Sequence, residues 1–133
     1  MKGYVTDIET ATKSNTLYRD VLYTAKNSQL VLMSLKPGEE IGEEVHDLDQ
    51  FLRFEAGEGT VVMDGTKHPV KDGTAVVIPA GTKHNVVNSS RDKELKLYSI
   101  YSPPEHKVRT RHRTKQEADA DHDHHFDGRT SLD

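Results

Sequence analysis

Short runs of alternating apolar and polar residues fill the chain between Leu17 and Tyr101. Turn signals separate these runs: KPG at 36–38, DGT at 64–66, KDGT at 71–74 and PAGT at 79–82. Many short strands divided by such turns are typical of a β-sandwich or barrel. No helix-length pattern with a 3.6-residue period occurs before residue 105. The pattern therefore predicts an all-β domain with almost no helix up to that point.

The alternation also predicts which side chains face the interior, because residues two apart in a strand share a face. Placing Lys36 and Lys96 outside sends eight residues inward from two strands: Gln29, Val31, Met33, Leu35, Leu95, Leu97, Ser99 and Tyr101. The same reasoning turns Gln50, Leu52 and Phe54 inward and Arg53 and Glu55 outward. The predicted interior is mainly aliphatic with a few polar groups, as small-ligand pockets usually are.

Four apolar residues fall on the opposite, outer face of the same strands: Leu30, Leu32, Tyr98 and Ile100. A sheet that is apolar on both faces is usually covered on both faces. We therefore expect a second subunit, in a homodimer, or the N-terminal segment to lie over this outer sheet. Scattered surface apolar residues are the alternative interpretation.

The Asp64–Gly65 pair between two strand-like runs predicts a tight hairpin, since both central positions need a positive φ. Pro69, in the second of these runs, predicts an edge strand because proline cannot donate a ladder hydrogen bond.

The composition changes at His106. Large apolar residues become rare, and five of the eight histidines lie between His106 and His125. Thr114 and Glu117 form a capping box, which favours a short helix over 115–125, with a solvated, frayed tail as the alternative. The sequence thus predicts two parts, a β-barrel domain at 1–104 and a polar tail at 105–133. His122, His124 and His125 could bind stray metals or simply be solvated.

Composition narrows the classes of partner. The chain has 133 residues, a formal net charge of −4 and no cysteine. One domain is expected, without disulfides or thiolate metal sites. The negative charge argues against nucleic-acid binding. With no apolar run near the ~18 residues of a membrane span and no leader-like N-terminus, we expect a cytoplasmic protein with a small-molecule ligand.

Four candidate metal ligands stand beside turn residues: Glu44, His46, Gln50 and His84. Gly73, Pro79 and Gly81 set the turn that leads to His84. Two imidazoles and one carboxylate have the composition of a facial triad, to which Gln50 adds an amide oxygen as fourth ligand or as support for a ligand. A slip in strand phase would let Glu43, Asp47 or Asp49 compete.

Together these residues read E-x-H-x3-Q-x6-G and G-x5-P-x-G-x2-H-x3-N. The pair resembles the two-part signature of the cupin superfamily, whose first motif reads H-x-H-x3,4-E-x6-G. The second motif matches at every fixed position. In the first, Glu44 stands in place of a histidine and Gln50 in place of the glutamate. The resemblance implies a cupin jelly-roll barrel, also called a double-stranded β-helix.

The resemblance also suggests chemistry. Runs such as GEEIGEEVH and PAGTKHNV look like those of small cupins described as mannose-6-phosphate isomerase-like. Type I phosphomannose isomerases, which are cupins, hold zinc with one Gln, one Glu and two His in a different order, on much longer chains. The hypothesis is a metal-binding cupin that acts on a small polar metabolite such as a sugar phosphate. The alternatives are a non-haem metal dioxygenase and a non-catalytic metal- or metabolite-binding barrel.

The donor set favours Zn, Mn or Fe, with Ni and Cu also open. No residue is nominated as a catalytic base, so whether the protein is an enzyme stays open. Arg19, Met33 and Tyr101 are the candidate substrate contacts. Arg19 would clamp a phosphate or carboxylate with its fork of donors, unless it is an exposed strand residue paired to a neighbour.

Overall fold

The computed structural model describes residues 2–133 and contains nine strands and two short helices within that range. In chain order the elements are α1 (Ile8–Ser14), β1 (Arg19–Thr24), β2 (Gln29–Leu35), β3 (Asp49–Ala56), β4 (Glu58–Met63), β5 (Thr66–Lys71), β6 (Ala75–Ile78), β7 (His84–Val87), β8 (Leu95–Ser102), β9 (Arg111–His112) and α2 (Lys115–Ala120).

The strands form two antiparallel sheets. The larger has the order β6-β3-β8-β2-β1-β9, and the smaller has the order β5-β4-β7. The apolar core lies between them and includes Phe54, Leu52, Leu35 and Leu97, all fully buried. This is a jelly-roll barrel, as the turn spacing and the motif resemblance predict.

The predicted inward faces are confirmed by burial. Every one of the eight residues expected to point inward from β2 and β8 is at most 4% exposed. The strands pair in the register that aligns them, with Val31 opposite Ser99 and Met33 opposite Leu97. Glu55 departs from the expectation, since it is only 4% exposed on a face predicted to be outside. It pairs there with Arg53, and α1 packs against β3.

The β4–β5 hairpin also follows the prediction. Asp64 and Gly65 have φ values of 48° and 83°, which the tight turn requires. Pro69 lies in β5, an edge strand of the smaller sheet.

The prediction of almost no helix before residue 105 is confirmed, with α1 as the one short helix in the described part of that range. This helix has seven residues, too few to show a 3.6-residue pattern. Asp7 caps its first turn by accepting from the Thr10 amide, and Lys96 donates to the Lys13 and Asn15 carbonyls at its other end. Local capping, together with packing on β8, β2 and β3, stabilises a helix that is too short to form alone.

The N-terminal segment partly covers the outer apolar face. Leu32 is 3% exposed, and a surface groove brings Tyr4 and Ile8 together with Leu30, Tyr98 and Ile100. Of the two covers expected from the sequence, this is the one that the structure contains. A homodimer through this face stays a prediction.

The C-terminal residues pack onto the barrel. β9 pairs with β1, which extends the larger sheet, and His106 and His112 are 3% and 2% exposed. Thr114 accepts from the Glu117 amide as the capping box predicts, but α2 ends at Ala120 rather than near residue 125. A frayed tail is therefore the wrong alternative for this part. The division into 1–104 and 105–133 stays a prediction. Within residues 2–133 the structure has no helix that is long and apolar enough to cross a membrane.

Candidate metal centre

Backbone pairing brings the two halves of the motif together. The Glu44 amide donates to the His84 carbonyl at 2.8 Å, and the His84 amide donates to the Glu44 carbonyl at 2.9 Å. This isolated bridge lies just before β3 and at the start of β7. Glu44 lies in this bridge and His46 in the segment between the bridge and β3, so both are outside the named strands.

The turn before His84 fixes its position. Gly81 has a φ of 84°, which suits glycine, and its amide donates to the His46 carbonyl at 2.8 Å. This hydrogen bond ties the turn before His84 to the segment that carries Glu44 and His46.

Three donors converge at the barrel mouth. Ligand atoms of Glu44, His46 and His84 all lie within 4.8 Å of one another. His46 Nε2 and Glu44 Oε1 are 3.8 Å apart. Donors bound tetrahedrally to a metal at about 2.1 Å stand roughly 3.4 Å apart. Small side-chain rotations would therefore let these three groups hold one metal ion.

Oxygen atoms lie behind both imidazoles. His84 Nδ1 lies 2.9 Å from the Thr82 carbonyl, to which it donates, so its Nε2 lone pair is free to ligate. His46 Nδ1 lies 3.5 Å from Glu105 Oε2. A carboxylate behind a metal-binding imidazole is the usual supporting arrangement for such a ligand. Sequence analysis missed Glu105, which lies far along the chain from His46.

Glu44 and His46 influence each other's ionisation. The Glu44 carboxylate raises the pKa of His46, against the opposing effect of burial. Burial acts to raise the pKa of Glu44, but His46, Arg19 and His84 together lower it. The site therefore favours a carboxylate anion, which is the ligating form, and only the neutral form of His46 can bind a metal.

Gln50 is the candidate for a fourth metal ligand. Its side chain is buried, and its Nε2 donates to Ser99 Oγ at 3.0 Å. Its Oε1 is buried and has no hydrogen-bond partner. A buried carbonyl oxygen without a partner is costly, and a metal ion would satisfy it.

The competing acids lie outside this centre. Glu43 pairs with Lys83 at 3.2 Å on the surface, and Asp49 accepts from the Ala80 amide. Asp47 is exposed. Among residues 2–133, Glu44, His46 and His84 form the group of three or more His and acidic residues that could hold a metal.

The three candidate substrate contacts all face the interior. Met33, Tyr101 and Arg19 are 1%, 4% and 6% exposed. The Tyr101 ring meets the His46 ring edge-on at 6.1 Å, and burial raises the pKa of its hydroxyl well above its usual range, so the hydroxyl stays protonated. Arg19 is not the exposed strand residue of the alternative interpretation.

A row of histidines continues from Tyr101 into the C-terminal segment. His106 meets the Tyr101 ring at 5.2 Å, and His106 Nδ1 is 3.0 Å from His124 Nδ1. His112 Nε2 donates to Asp121 at 2.9 Å. The sequence predicts that His122, His124 and His125 bind stray metals or are solvated, and no pattern in it predicts these contacts with the barrel. Both His122 and His125 are exposed, and His125 Nδ1 lies 3.2 Å from Glu105 Oε1.

Comparison with known proteins decides the family. A model described as a cupin domain matches residues 31–101, which contain both halves of the motif. The chain belongs to the cupin domain family.

Relatives of this cupin cover most of its length. It is 48% identical over 129 residues to the uncharacterized protein YrkC of Bacillus subtilis (strain 168), covering 92% of this chain and 69% of YrkC. It is 47% identical over 108 residues to the uncharacterized protein L612 of Acanthamoeba polyphaga mimivirus, covering 77% of this chain and 67% of L612.

Solved structures agree with the fold. The crystal structure of BH2720 from Bacillus halodurans superposes with a TM-score of 0.88 at 46% identity, covering 90% of this cupin and 96% of BH2720. A predicted oxalate decarboxylase from Thermotoga maritima superposes with a TM-score of 0.55 at 23% identity, covering 59% of this cupin and 68% of that chain. The second likeness shows the fold alone.

Proposed function

We propose that this cupin holds one divalent metal ion with Glu44, His46 and His84, with Gln50 as fourth ligand, and acts on a small polar metabolite. The convergence of the three donors within 4.8 Å carries the proposal. The unpartnered Oε1 of Gln50 supports it from an independent direction. Two imidazole nitrogens, a carboxylate and an amide oxygen suit Zn, Mn or Fe, with Ni and Cu as alternatives.

The proposed chemistry is isomerisation of a sugar phosphate or related carbonyl compound. A metal bound here would supply Lewis acidity to a carbonyl or hydroxyl oxygen. The protein's own groups would orient the substrate. Tyr101 keeps its proton and can donate a hydrogen bond, and the Glu105 carboxylate lies 3.5 Å from His46 Nδ1. The donor types, one Gln, one Glu and two His, are those that the resemblance to phosphomannose isomerases implies.

The second candidate is a metal-dependent dioxygenase. The specific observation in its favour is the set of two histidines and one carboxylate, which is the ligand set of many iron(II) oxygenases. A non-catalytic metal- or metabolite-binding barrel is the third interpretation, because one fold hosts many functions.

Metal analysis of freshly purified, full-length protein tests the proposal. We expect about one transition-metal ion per chain. His84→Ala should lose it, and His122→Ala, at an exposed position, should keep it. Wild-type protein without bound metal, even after it is supplied with Zn, Mn or Fe, would refute the proposal.

The identity of the metal and a turnover assay separate the candidates. The metal-loaded protein is incubated with mannose 6-phosphate and the product is analysed for the ketose phosphate. Zinc with turnover supports the isomerase. Iron with oxygen consumption supports the dioxygenase. Metal binding without either activity would support the non-catalytic barrel.

A further inference from the structure

Arg19 presents an unusual arrangement of charge. Its side chain is in the interior, at 6% exposure, and a guanidinium remains charged in proteins. Within residues 2–133, no carboxylate forms an ion pair with it. A buried charge without a counter-charge is strongly unfavourable unless a ligand supplies one.

The C-terminal segment holds Arg19 in a fixed orientation. Arg19 Nη1 donates to His112 Nδ1 at 3.1 Å, and His112 Nε2 donates to Asp121 at 2.9 Å. Because arginine can only donate, the single proton of His112 lies on Nε2. The guanidinium also lies 5.3 Å from the Tyr18 ring centre. These contacts use one edge of the guanidinium and leave its Nε, which is buried and has no partner.

His106 contributes a second unpartnered polar atom. Its Nε2 is buried without a hydrogen-bond partner, and its ring is 3% exposed. Burial first, and then the charge of Arg19, lower the pKa of His106 well below its usual range. The ring is therefore neutral, and its Nε2 can donate without adding a second buried charge.

Tyr101 connects this region to the proposed metal centre. Its ring contacts His106 on one side, at 5.2 Å, and His46 on another, at 6.1 Å. The charge of Arg19 also acts on the pKa of Glu44 and His46. The Tyr101 ring therefore lies between His106 and the candidate ligand His46.

We propose that Arg19 and His106 form an anion subsite that binds the carboxylate of a small acid. This rests on the proposed function only for the metal end of the ligand, and of the substrates named there it selects a related carbonyl compound that carries a carboxylate in place of a sugar phosphate. A planar carboxylate matches the edge of a guanidinium through two parallel hydrogen bonds. His106 Nε2 can supply one further donor. The ligand class is a short hydroxy or keto acid whose second oxygen function faces the metal donors.

Binding of pyruvate and lactate to the full-length protein tests the subsite. Each acid is titrated into metal-free and zinc-supplemented protein by calorimetry, with inorganic phosphate and mannose 6-phosphate as comparison ligands. We expect saturable binding of the carboxylates in both states. Arg19→Lys, which keeps the charge but loses the fork, should weaken binding at least tenfold. Arg91→Gln, at an exposed loop arginine, is the matched control and should bind as wild type does.

An NMR measurement on the wild-type protein covers the case in which the Arg19 variant does not fold. The Nε–H signal of the buried Arg19 should shift on adding pyruvate and stay unchanged on adding the neutral analogue acetone. Absence of saturable carboxylate binding, equal binding by Arg19→Lys, or a site that takes phosphates but not carboxylates would each overturn the proposal. Because the metal-free titration does not depend on the metal centre, this failure is separate from failure of the proposed function.

Discussion

At the residue scale, the sequence could predict Glu44, His46 and His84 as candidate ligands because local turns set their positions. The Gly81 amide donates to the His46 carbonyl, and Glu44 and His84 exchange two backbone hydrogen bonds. The residues that support them come from distant positions. Glu105 stands behind His46, and His106 lies against Tyr101, through contacts that no local pattern encodes.

Removing individual donors should affect metal-dependent stability unequally. At a metal concentration 100-fold above Kd, binding adds about 2.7 kcal/mol to the free energy of unfolding. His84→Ala should abolish the decrease in Tm caused by a chelator. Gln50→Ala should only reduce it, because three stronger ligands remain. His122→Ala should leave it unchanged. Thermal melts of the full chain with and without chelator measure the effect, and a full chelator response in His84→Ala would contradict the assignment.

The buried His106 should make the metal-free protein sensitive to acid. Its pKa is depressed in the folded state, so the unfolded state binds more protons once the pH falls below the ordinary value of 6.5. The free energy of unfolding should therefore decrease as the pH falls through this range, by up to about 1.4 kcal/mol per pH unit for this one group. Urea titrations between pH 7 and pH 5 measure it.

His106→Gln should flatten this pH dependence, and the exposed His122→Gln should not. A chelator is present throughout, so that metal binding adds no pH dependence. His46 has a raised pKa and works in the opposite direction, contributing stability that is lost as the pH rises, but it is present in both variants. An unchanged slope in His106→Gln would show that His106 is not the buried neutral group described here.

At the scale of elements, period-two alternation predicted the inward faces of β2 and β8 because alternate residues of these strands point into the core. The same rule could not find α1, whose seven residues depend on the Asp7 cap and on Lys96 at its far end. Local sequence signals also failed to predict that α2 ends at Ala120. Past that residue the chain turns so that His124 and Asp121 meet His106 and His112.

Gly57, just after β3, lies close to the Glu94 backbone, just before β8, and a substitution can test this close approach. Its φ is 92°, and a Cβ at this position would clash with the Glu94 carbonyl oxygen. Gly57→Ala should lower the free energy of unfolding by roughly 3 kcal/mol, from about 1–2 for the backbone conformation plus overpacking. Gly73→Ala is the matched control, since its φ is 87° and no heavy atom lies within 4 Å. Equal losses in urea denaturation would argue against the clash.

Removal of residues 105–133 tests how much the C-terminal segment contributes to the stability of the barrel. The truncation deletes β9 and the buried His106 and His112, and it uncovers Arg19. We expect a lower urea midpoint and a smaller m-value than in the full chain, because less surface is buried. A truncated chain that unfolds at the same midpoint would support an independent domain at 1–104.

At the scale of the whole molecule, the barrel carries a polar region at one end of an apolar core. Glu44, His46 and His84 meet at its mouth, Gln50 lies opposite Tyr101 in the neighbouring strand, and His106 packs against the Tyr101 ring. Each unpartnered buried atom of this region belongs to a residue that could bind a ligand: Gln50 Oε1, Arg19 Nε and His106 Nε2. This concentration of unpartnered groups in one region of a well-packed barrel distinguishes a binding site from a structural core.

Anomalous scattering from crystals of untreated, full-length protein tests the central claim most directly, because it identifies a metal and its ligands together. The account predicts one peak bounded by Glu44, His46 and His84, with Gln50 Oε1 turned toward it, and an absorption edge of zinc, manganese or iron. A peak among His122, His124 and His125 with none at the barrel mouth, or no peak after soaking with these metals, would contradict it.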